Sequence, residues 1–370
     1  MRKLVDVVQR NAIAIAIAWA AILIGTSGAS AQTPWPALLV LEKADSSLAI
    51  VDPGSMKIVG RVTAGPDPHE IVVSADGKLA YISNYGGLDS TFNTISVIDL
   101  VARKALAPIQ LGALRSPHGL AWAGGKLYFT VETNKAFGRY DPVTQAIDWV
   151  LGTGQDRTHM VLVAESLDRI FTSNVSSGTI SIIERVTPPP PGPPPGAPAG
   201  VGPPPGMPPG GNRKTWEITS VASGRGSEGF DVSPDGKEIW AANAGDSTVT
   251  VIDVAAKRVI ATFPVSVRGN RLKFVPDGQR VLVSGMGPGG PSGGGANFVV
   301  LDAATHKEIK SLSMGAGSGG IQVVPDGSRA FIAVAGANKV VAVDLKKIEA
   351  VGEVATGKGP DGLAWAKGGS

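Results

Sequence analysis

The stretch Gly226–Val254, GSEGFDVSPDGKEIWAANAGDSTVTVIDV, contains the pattern that decides the fold. Three short β-rich runs, Phe230–Val232, Glu238–Ala242 and Thr248–Val254, are separated by a Pro-Asp-Gly turn and an Asn-Ala-Gly-Asp loop. Runs of this length between such turns are typical of an antiparallel meander. The stretch therefore predicts successive antiparallel strands, and similar units recur along the chain.

The repeats predict a closed ring of sheets, because their spacing is close to the 40–45 residues of a four-stranded propeller blade. The apolar starts of the first strands are Ile71, Leu120, Val161, Phe230, Leu272, Ile321 and Leu363. The last of them has no partner strands after it, whereas the N-terminal strands 38–41, 48–51 and 58–62 have no first strand before them. Pairing the two ends completes a seventh blade and leaves no free sheet edge. We predict an all-β, seven-bladed β-propeller of four-stranded antiparallel blades, closed by N-terminal strands pairing with a C-terminal strand.

Residues 1–31 have the pattern of a cleaved signal peptide. Three basic residues precede the apolar run Ala12–Gly25, and the small residues Ala29–Ala31 form a cleavage site before Gln32. The apolar run is too short to predict a membrane anchor. We expect residues 32–370 to be a single propeller domain in a periplasmic or secreted protein, with no membrane span after signal removal.

Composition excludes several classes of site. The chain has no cysteine, which excludes disulfides, thiolate metal sites, a lipoprotein anchor and covalent haem attachment. The net charge of +3 includes the basic signal segment, so the mature chain is nearly neutral and gives no indication of nucleic-acid binding. We expect a monomer whose stability comes from its core.

Two sets of strands carry resemblances to known families. The second strands Tyr81–Asn84, Ile170–Asn174 and Ile239–Asn243 resemble the Tyr-Val-Thr-Asn motif, and ISVID, VTVID and VVAVD resemble its companion strand. In this respect the whole mature chain is similar to YVTN-type propellers, many of them exported from bacteria. Residues 117–142 with RTHM at 157–160 also resemble virginiamycin B lyase-type propellers, over roughly a blade and a half. The resemblances imply fold and export and leave function open, because one scaffold hosts many activities.

One column of residues lies two positions before each first-strand start and differs from the scaffold of the repeats. It consists of His69, His118, His159, Glu228, Asn270, Gly319 and Asp361. In a propeller this ring column surrounds one mouth of the central channel. Imidazoles and carboxylates are ligands for Zn, Cu, Fe or Ni and form the usual general acid–base pair. The column predicts one divalent metal ion held by His69, His118, His159, Glu228 and Asp361, with His118, His159 and Glu228 as catalytic residues. The alternative is that these side chains only line a polar channel.

A basic column precedes the ring column by two or three residues. Its members are Arg115, Arg157, Arg225, Arg268 and Lys358. Convergent guanidinium groups bind carboxylate or phosphate, so the basic column predicts an anionic ligand at the same mouth. The alternative is that these are solvated loop residues. The loops Asn84–Thr94 and Gly285–Asn297 reach the same face and are candidate covers of the mouth.

The insert at 188–211, PPPPGPPPGAPAGVGPPPGMPPGG, is too rich in proline and glycine to form a core. It is either a tolerated flexible loop or a tether for an envelope protein. With no nucleophile-elbow or dinucleotide motif in the chain, three functions remain. They are a propeller that binds an anionic ligand or protein partner at the channel mouth, a metal-assisted lyase or lactone hydrolase, and an envelope-interaction protein that acts through the insert.

Overall fold

A computed structural model describes residues 33, 35–87, 90–188, 214–287 and 297–367. The predicted signal segment, insert residues 189–211 and loop residues 288–296 lie outside the described residues. The described part of the chain contains three single-turn 3-10 helices, Lys43–Asp45, Glu132–Asn134 and Ala335–Ala337, and no α-helix. None of its helices has the length and apolar character needed to cross a membrane.

The described residues form seven antiparallel sheets arranged as the blades of a propeller, which confirms the predicted fold class. Blade one combines β1 to β3 with β29, and the other strands fill blades two to seven in chain order. The strands are β1 Ala37–Glu42, β2 Ser47–Asp52, β3 Lys57–Thr63, β4 Pro68–Val73, β5 Leu79–Asn84, β6 Thr94–Asp99, β7 Lys104–Ala105, β8 Ile109–Gln110, β9 Pro117–Ala123, β10 Lys126–Val131, β11 Ala136–Asp141, β12 Ala146–Gly152, β13 Thr158–Val163, β14 Arg169–Asn174, β15 Thr179–Val186, β16 Thr215–Ala222, β17 Ser227–Val232, β18 Glu238–Asn243, β19 Thr248–Asp253, β20 Arg258–Pro264, β21 Arg268–Phe274, β22 Arg280–Met286, β23 Phe298–Asp302, β24 Glu308–Leu312, β25 Ile321–Val323, β26 Arg329–Val334, β27 Lys339–Asp344, β28 Glu349–Ala355 and β29 Pro360–Ala366.

The fourth strand of blade two is interrupted, so this sheet has five strands where the repeat predicts four. β7 and β8 each pair with β6 and are separated by Leu106, Ala107 and Pro108. Proline has no N–H to donate to the ladder, which accounts for the break at an outer strand.

The core lies between neighbouring blades because each sheet buries both faces. In β1, Leu39 and Leu41 pack against Ile82 of blade two, while Leu38 and Val40 pack against blade seven. Successive side chains of a strand point to opposite faces, so a strand buried on both sides is apolar at every position. This explains the continuous apolar sequence of β1.

A repeated asparagine fastens the second strand of a blade to its third strand. The Asn84 side-chain amide donates to Thr94 Oγ1 at 2.7 Å and to Ser96 Oγ at 3.1 Å. Asn174 and Asn243 each make the same pair of hydrogen bonds to two hydroxyls of the following strand. The Asn of the second-strand motif and the alternating Ser or Thr of the third strand are therefore one structural unit.

Ring closure joins the two ends of the chain and is reinforced by a buried carboxylate. β1 pairs with β29 from Ala37 opposite Ala366 onward. At the other end of β1, Glu42 accepts hydrogen bonds from the Gly357 backbone N–H at 2.6 Å and from the Ser47 hydroxyl at 2.6 Å. The Arg61 guanidinium lies 3.0 Å from the same carboxylate.

We predict that Glu42→Gln destabilises the protein by about 1–3 kcal/mol at pH 7, because the neutral amide loses the charge-assisted hydrogen bonds from Arg61 and the Gly357 N–H and turns an NH₂ donor toward groups that are themselves donors. Burial raises the pKa of Glu42, but Arg61, Ser47 and the Gly357 N–H lower it below its usual value of 4.5. A lowered carboxylate pKa stabilises the folded state above the unfolded pKa, and this contribution is lost as the pH falls through the folded pKa.

Urea unfolding of both proteins at pH 7 and at successively lower pH measures this effect. The difference in unfolding free energy between the wild-type protein and Glu42→Gln is expected to decrease as the pH falls. Glu349→Gln, at an exposed carboxylate 3.7 Å from Lys310, is the matched control and should have little effect. A pH-independent gap would contradict the assignment.

Candidate functional site

The ring column begins the innermost strands of five consecutive blades. Asp361 lies in β29, His69 in β4, His118 in β9, His159 in β13 and Glu228 in β17. The ring centroids of His118 and His159 are 3.6 Å apart, and those of His69 and His118 are 4.4 Å apart. These three imidazoles form one histidine cluster, as the column predicts.

Hydroxyl groups of the second strands fix the backbone of the ring column. The Thr130 hydroxyl donates to the His159 carbonyl at 2.6 Å and accepts from the Gly119 N–H at 2.8 Å. Ser173 likewise donates to the Glu228 carbonyl at 2.6 Å. Each of these hydroxyls belongs to one blade and holds a ring-column residue of the next, so the second-strand motif positions the site.

The residue after each ring position lies against the inner strand of the next blade. A Cβ atom at Gly119 would lie 2.4 Å from the His159 carbonyl oxygen, and one at Gly229 would lie 2.5 Å from the Arg271 Cα. The same position holds Gly320 and Gly362 in blades seven and one, and Glu70, Met160 and Arg271 in blades two, four and six. The side chains of Glu70, Met160 and Arg271 line a cavity in the central channel. The glycines in the other four blades allow neighbouring inner strands to approach each other closely.

His118 is fully buried, and neither of its ring nitrogens has a hydrogen-bond partner among the described residues. Its ring lies between His69 and His159 and is covered by Tyr85, whose ring centroid is 4.7 Å away. Burial lowers the pKa of His118 well below 6.5, as do the neighbouring His159 and His69. The imidazole is therefore neutral and has a lone pair available to a ligand.

His159 is held between two carboxylates. Its Nδ1 hydrogen-bonds to Glu132, which also accepts a hydrogen bond from the Tyr85 hydroxyl. Its Nε2 lies 3.3 Å from Glu228. Burial lowers the pKa of His159, but the hydrogen bonds and charges of Glu132 and Glu228 raise it above 6.5. His159 is therefore the histidine of the cluster that most readily carries a positive charge.

His69 faces a carboxylate and an ammonium group. Its Nδ1 lies 3.1 Å from Asp361 and 2.6 Å from the Lys43 Nζ. Burial lowers the pKa of His69 although Asp361 opposes this, so the ring is neutral. The Lys43 ammonium group donates to Nδ1, so the neutral ring carries its proton on Nε2. Ligation of a metal through Nε2 requires the other tautomer, in which Nδ1 donates to Asp361 and the Lys43 ammonium group moves away.

Arg271 crosses the channel and joins two inner carboxylates. Its guanidinium hydrogen-bonds to Glu70 at 2.5 Å and lies 3.6 Å from Glu228. Burial raises the pKa of Glu228, but His159 first and then Arg271 and Arg157 lower it to about 2. Arg271 and Glu228 are therefore both ionised. A continuous polar chain runs through Tyr85, Glu132, His159, Glu228, Arg271 and Glu70.

Two groups of donor atoms within this site are spaced for a metal ion. One atom each from His69, Glu70 and His118 lie within 4.8 Å of one another, and so do atoms of His118, Glu132 and His159. In the second group Glu132 bonds to both His159 and Tyr85. In the first group Glu70 bonds to Arg271 through Oε1. The first group offers two neutral imidazoles and a carboxylate, a ligand set that leaves a coordination position open.

The basic column does not converge on the histidine cluster. Arg157 alone of the five contacts this site among the described residues, with its Nε 3.4 Å from Glu132. Arg225 is exposed and pairs with Asp246, and the exposed Arg268 donates to the Ala244 carbonyl at 3.2 Å. Arg115 and Lys358 are also exposed. An anion site built from all five is not assembled in this structure.

Sequence reasoning missed Glu70, Glu132, Arg271, Tyr85 and Lys43. A signal existed for the first three. Glu70 and Arg271 occupy a position that is glycine in four other blades, and Glu132 follows a second strand that ends in Val131, where three other second strands end in Asn. Departures from the repeat therefore mark the site better than residue type alone.

Solved structures resemble this chain, whereas no protein-family model and no curated protein matches it. A functionally unknown protein of Desulfotomaculum acetoxidans has a TM-score of 0.68 at 13% identity, with 90% of this chain and 99% of that chain covered. A Bacteroides fragilis protein named "putative 6-phosphogluconolactonase" has a TM-score of 0.66 at 15% identity, covering 92% and 99%. Hydrazine synthase of Kuenenia stuttgartiensis has a TM-score of 0.61 at 18% identity, covering 82% and 90%. At these identities the likeness shows the propeller fold alone, and the YVTN and lyase resemblances stay predictions.

We predict that Arg271→Met lowers the free energy of unfolding by about 3–5 kcal/mol at pH 7, because Glu70 and Glu228 lose their buried cation. Urea unfolding measures the loss. Arg271→Met combined with Glu70→Gln should recover part of it, since one uncompensated charge is removed. A double variant as unstable as the sum of the two single variants would contradict this account of the polar chain.

Proposed function

We propose that this protein is an exported propeller that holds one divalent metal ion at His69, Glu70 and His118 and hydrolyses an anionic lactone or related cyclic ester beside it. Export is proposed from the signal-peptide pattern of residues 1–31 and from the YVTN resemblance. The metal site is proposed from the geometry of the histidine cluster.

The observation that carries the metal proposal is the partnerless ring of His118. Buried polar groups are almost always hydrogen-bonded, and an unpaired one costs about 1–3 kcal/mol. Both nitrogens of His118 lack a partner in the described structure, and donor atoms of His69 and Glu70 lie within 4.8 Å of one of them. A cation ligated by these three residues would satisfy one of the two nitrogens and remove that part of the cost.

The remaining polar groups have roles that follow from their charges. A divalent ion held by His69, Glu70 and His118 would polarise a carbonyl group or activate a water molecule. Glu132 and Glu228 raise the pKa of His159, which makes it the residue that would give a proton to the leaving oxygen of an opening ring. Glu132 and Tyr85 orient the His159 ring by their hydrogen bonds. Arg271 balances the carboxylates of Glu70 and Glu228.

The substrate class is proposed from a solved structure of the same fold. One solved structure of this fold is named for a lactonase activity on a phosphorylated sugar lactone, which makes lactones the first compounds to assay. A propeller that only binds an anion or protein partner at the mouth is less well supported, because Arg157 alone of the basic column reaches the cluster.

We predict that the mature protein, purified without chelator or affinity tag, contains close to one divalent metal ion per chain and that His118→Ala loses it. Elemental analysis measures the metal content. Metal at 100 times its Kd should stabilise the apo wild-type protein by about 2.7 kcal/mol in thermal unfolding and leave the variant unchanged.

His306→Ala is the matched control for a lost imidazole. The His306 ring stacks on Phe263 with centroids 5.0 Å apart, in the turn after β23. This variant should keep the metal. Equal metal content in all three proteins, or no metal and no response to Zn, Mn, Cu or Mg in the wild type, would overturn the proposal.

A further inference from the structure

The central channel contains a cavity of about 510 Å³ on the other side of the inner polar residues. It runs along the inner strands from Glu70 and Arg271 to their far ends, where Val73, Lys273 and Lys367 line it. Its mouth is therefore opposite the one surrounded by the ring column. The volume lies within the range of small-molecule sites, about 300–1,000 Å³.

The charge of this cavity is unbalanced. Its ionisable lining residues are Arg271, Lys273, Lys367 and Glu70, which is three cations against one anion. Glu70 is already paired with Arg271 at the inner end. The excess positive charge consequently lies with the two lysines at the mouth, in a protein whose total charge is only +3 before the signal segment is removed.

Both lysines have ammonium groups available to a ligand. The Lys273 Nζ is 3.8 Å from Asp231, a long ion pair with a carboxylate whose oxygens accept from the Val232 and Phe274 backbone N–H groups. Lys367 is exposed and has no ion pair among the described residues. Cations at the rim of a low-dielectric cavity attract anions more strongly than the same groups on a flat surface.

Two indole rings form part of the wall. Trp122 and Trp365 line the cavity together with aliphatic side chains of the inner strands. Trp122 is fixed by stacking on Tyr81, at 5.3 Å between centroids and 15° between planes, and Trp365 stacks on Phe331 at 6.1 Å. Rigid aromatic walls with a cationic mouth suit a flat apolar body that carries an anionic group.

We propose that this far mouth of the channel is a binding site for a small planar organic anion, an aromatic or unsaturated carboxylate, with its carboxylate at Lys273 and Lys367 and its apolar body against Trp122 and Trp365. The site goes beyond the proposed metal site and does not depend on it. None of the residues of the predicted basic column takes part.

The test is calorimetric titration of 2-naphthoate into EDTA-treated mature protein, with neutral 2-naphthamide as the matched ligand. Naphthoate should bind one site, and naphthamide should bind at least about 10-fold more weakly, which is 1.4 kcal/mol. Lys273→Met/Lys367→Met should weaken naphthoate by about 10-fold or more and leave naphthamide unchanged. Lys104→Met, at an exposed lysine of β7, should bind like the wild type.

Three results would overturn the proposal: no naphthoate binding, equal binding of the amide, or equal binding by the double lysine variant. Because the protein is metal-free in this titration, failure here is independent of the metal measurement. Circular dichroism of the double variant confirms folding, which two exposed or half-exposed lysines should not affect.

Discussion

The close contact between neighbouring inner strands is the constraint on which this structure depends. At Gly119 and Gly229 the backbone of the next blade lies where a side chain would begin. Hydroxyls of Thr130 and Ser173 then hold the carbonyls of His159 and Glu228 across the blade boundary. Between blades three and four, Gly119 and the Thr130 hydroxyl together fix the spacing and the register of the two inner strands. Between blades four and five the Ser173 hydroxyl fixes the register, and Met160 takes the position of the glycine.

This contact concentrates ionisable groups in a space from which water is largely excluded. Ionised groups in such a space persist when they are paired, because the loss of hydration costs several kcal/mol for each ion. The structure meets this requirement by alternating acids and bases along the polar chain that includes Glu132, His159, Glu228, Arg271 and Glu70. His118 is the exception, since it is neutral, buried and without a partner. Its place at the centre of the cluster makes it the residue whose environment most needs a ligand.

The two ends of the channel differ in chemistry although the same strands form both. The first residues of the inner strands provide imidazoles and carboxylates, and Tyr85 of the loop after β5 covers them. The last residues provide lysines and indoles around an open cavity. Glu70 and Arg271 lie between the two ends and belong to both. A ligand in the cavity is therefore separated from the histidine cluster by one ion pair.

The sequence predicts the fold well because the relevant information is local and periodic. The second-strand motifs, the apolar starts and the unmatched strands at the two chain ends fix the number of blades and the pairing of β1 with β29. It also predicts that His69, His118 and His159 meet, because equivalent residues of successive blades share one ring. The same reasoning predicts that the residues of the basic column meet at the mouth. They do not, because Arg115, Arg225 and Arg268 lie at exposed positions.

The sequence by itself therefore determined the architecture and the column that contains the histidines. Only the tertiary structure decided how those histidines are protonated and which residues accompany them. Glu132 bonds to His159, which is 27 positions away in the sequence. Arg271 bonds to Glu70, which is 201 positions away. Contacts of this kind depend on ring closure, on the room left by glycines and on the low dielectric of the channel. None of these is a property of a single repeat.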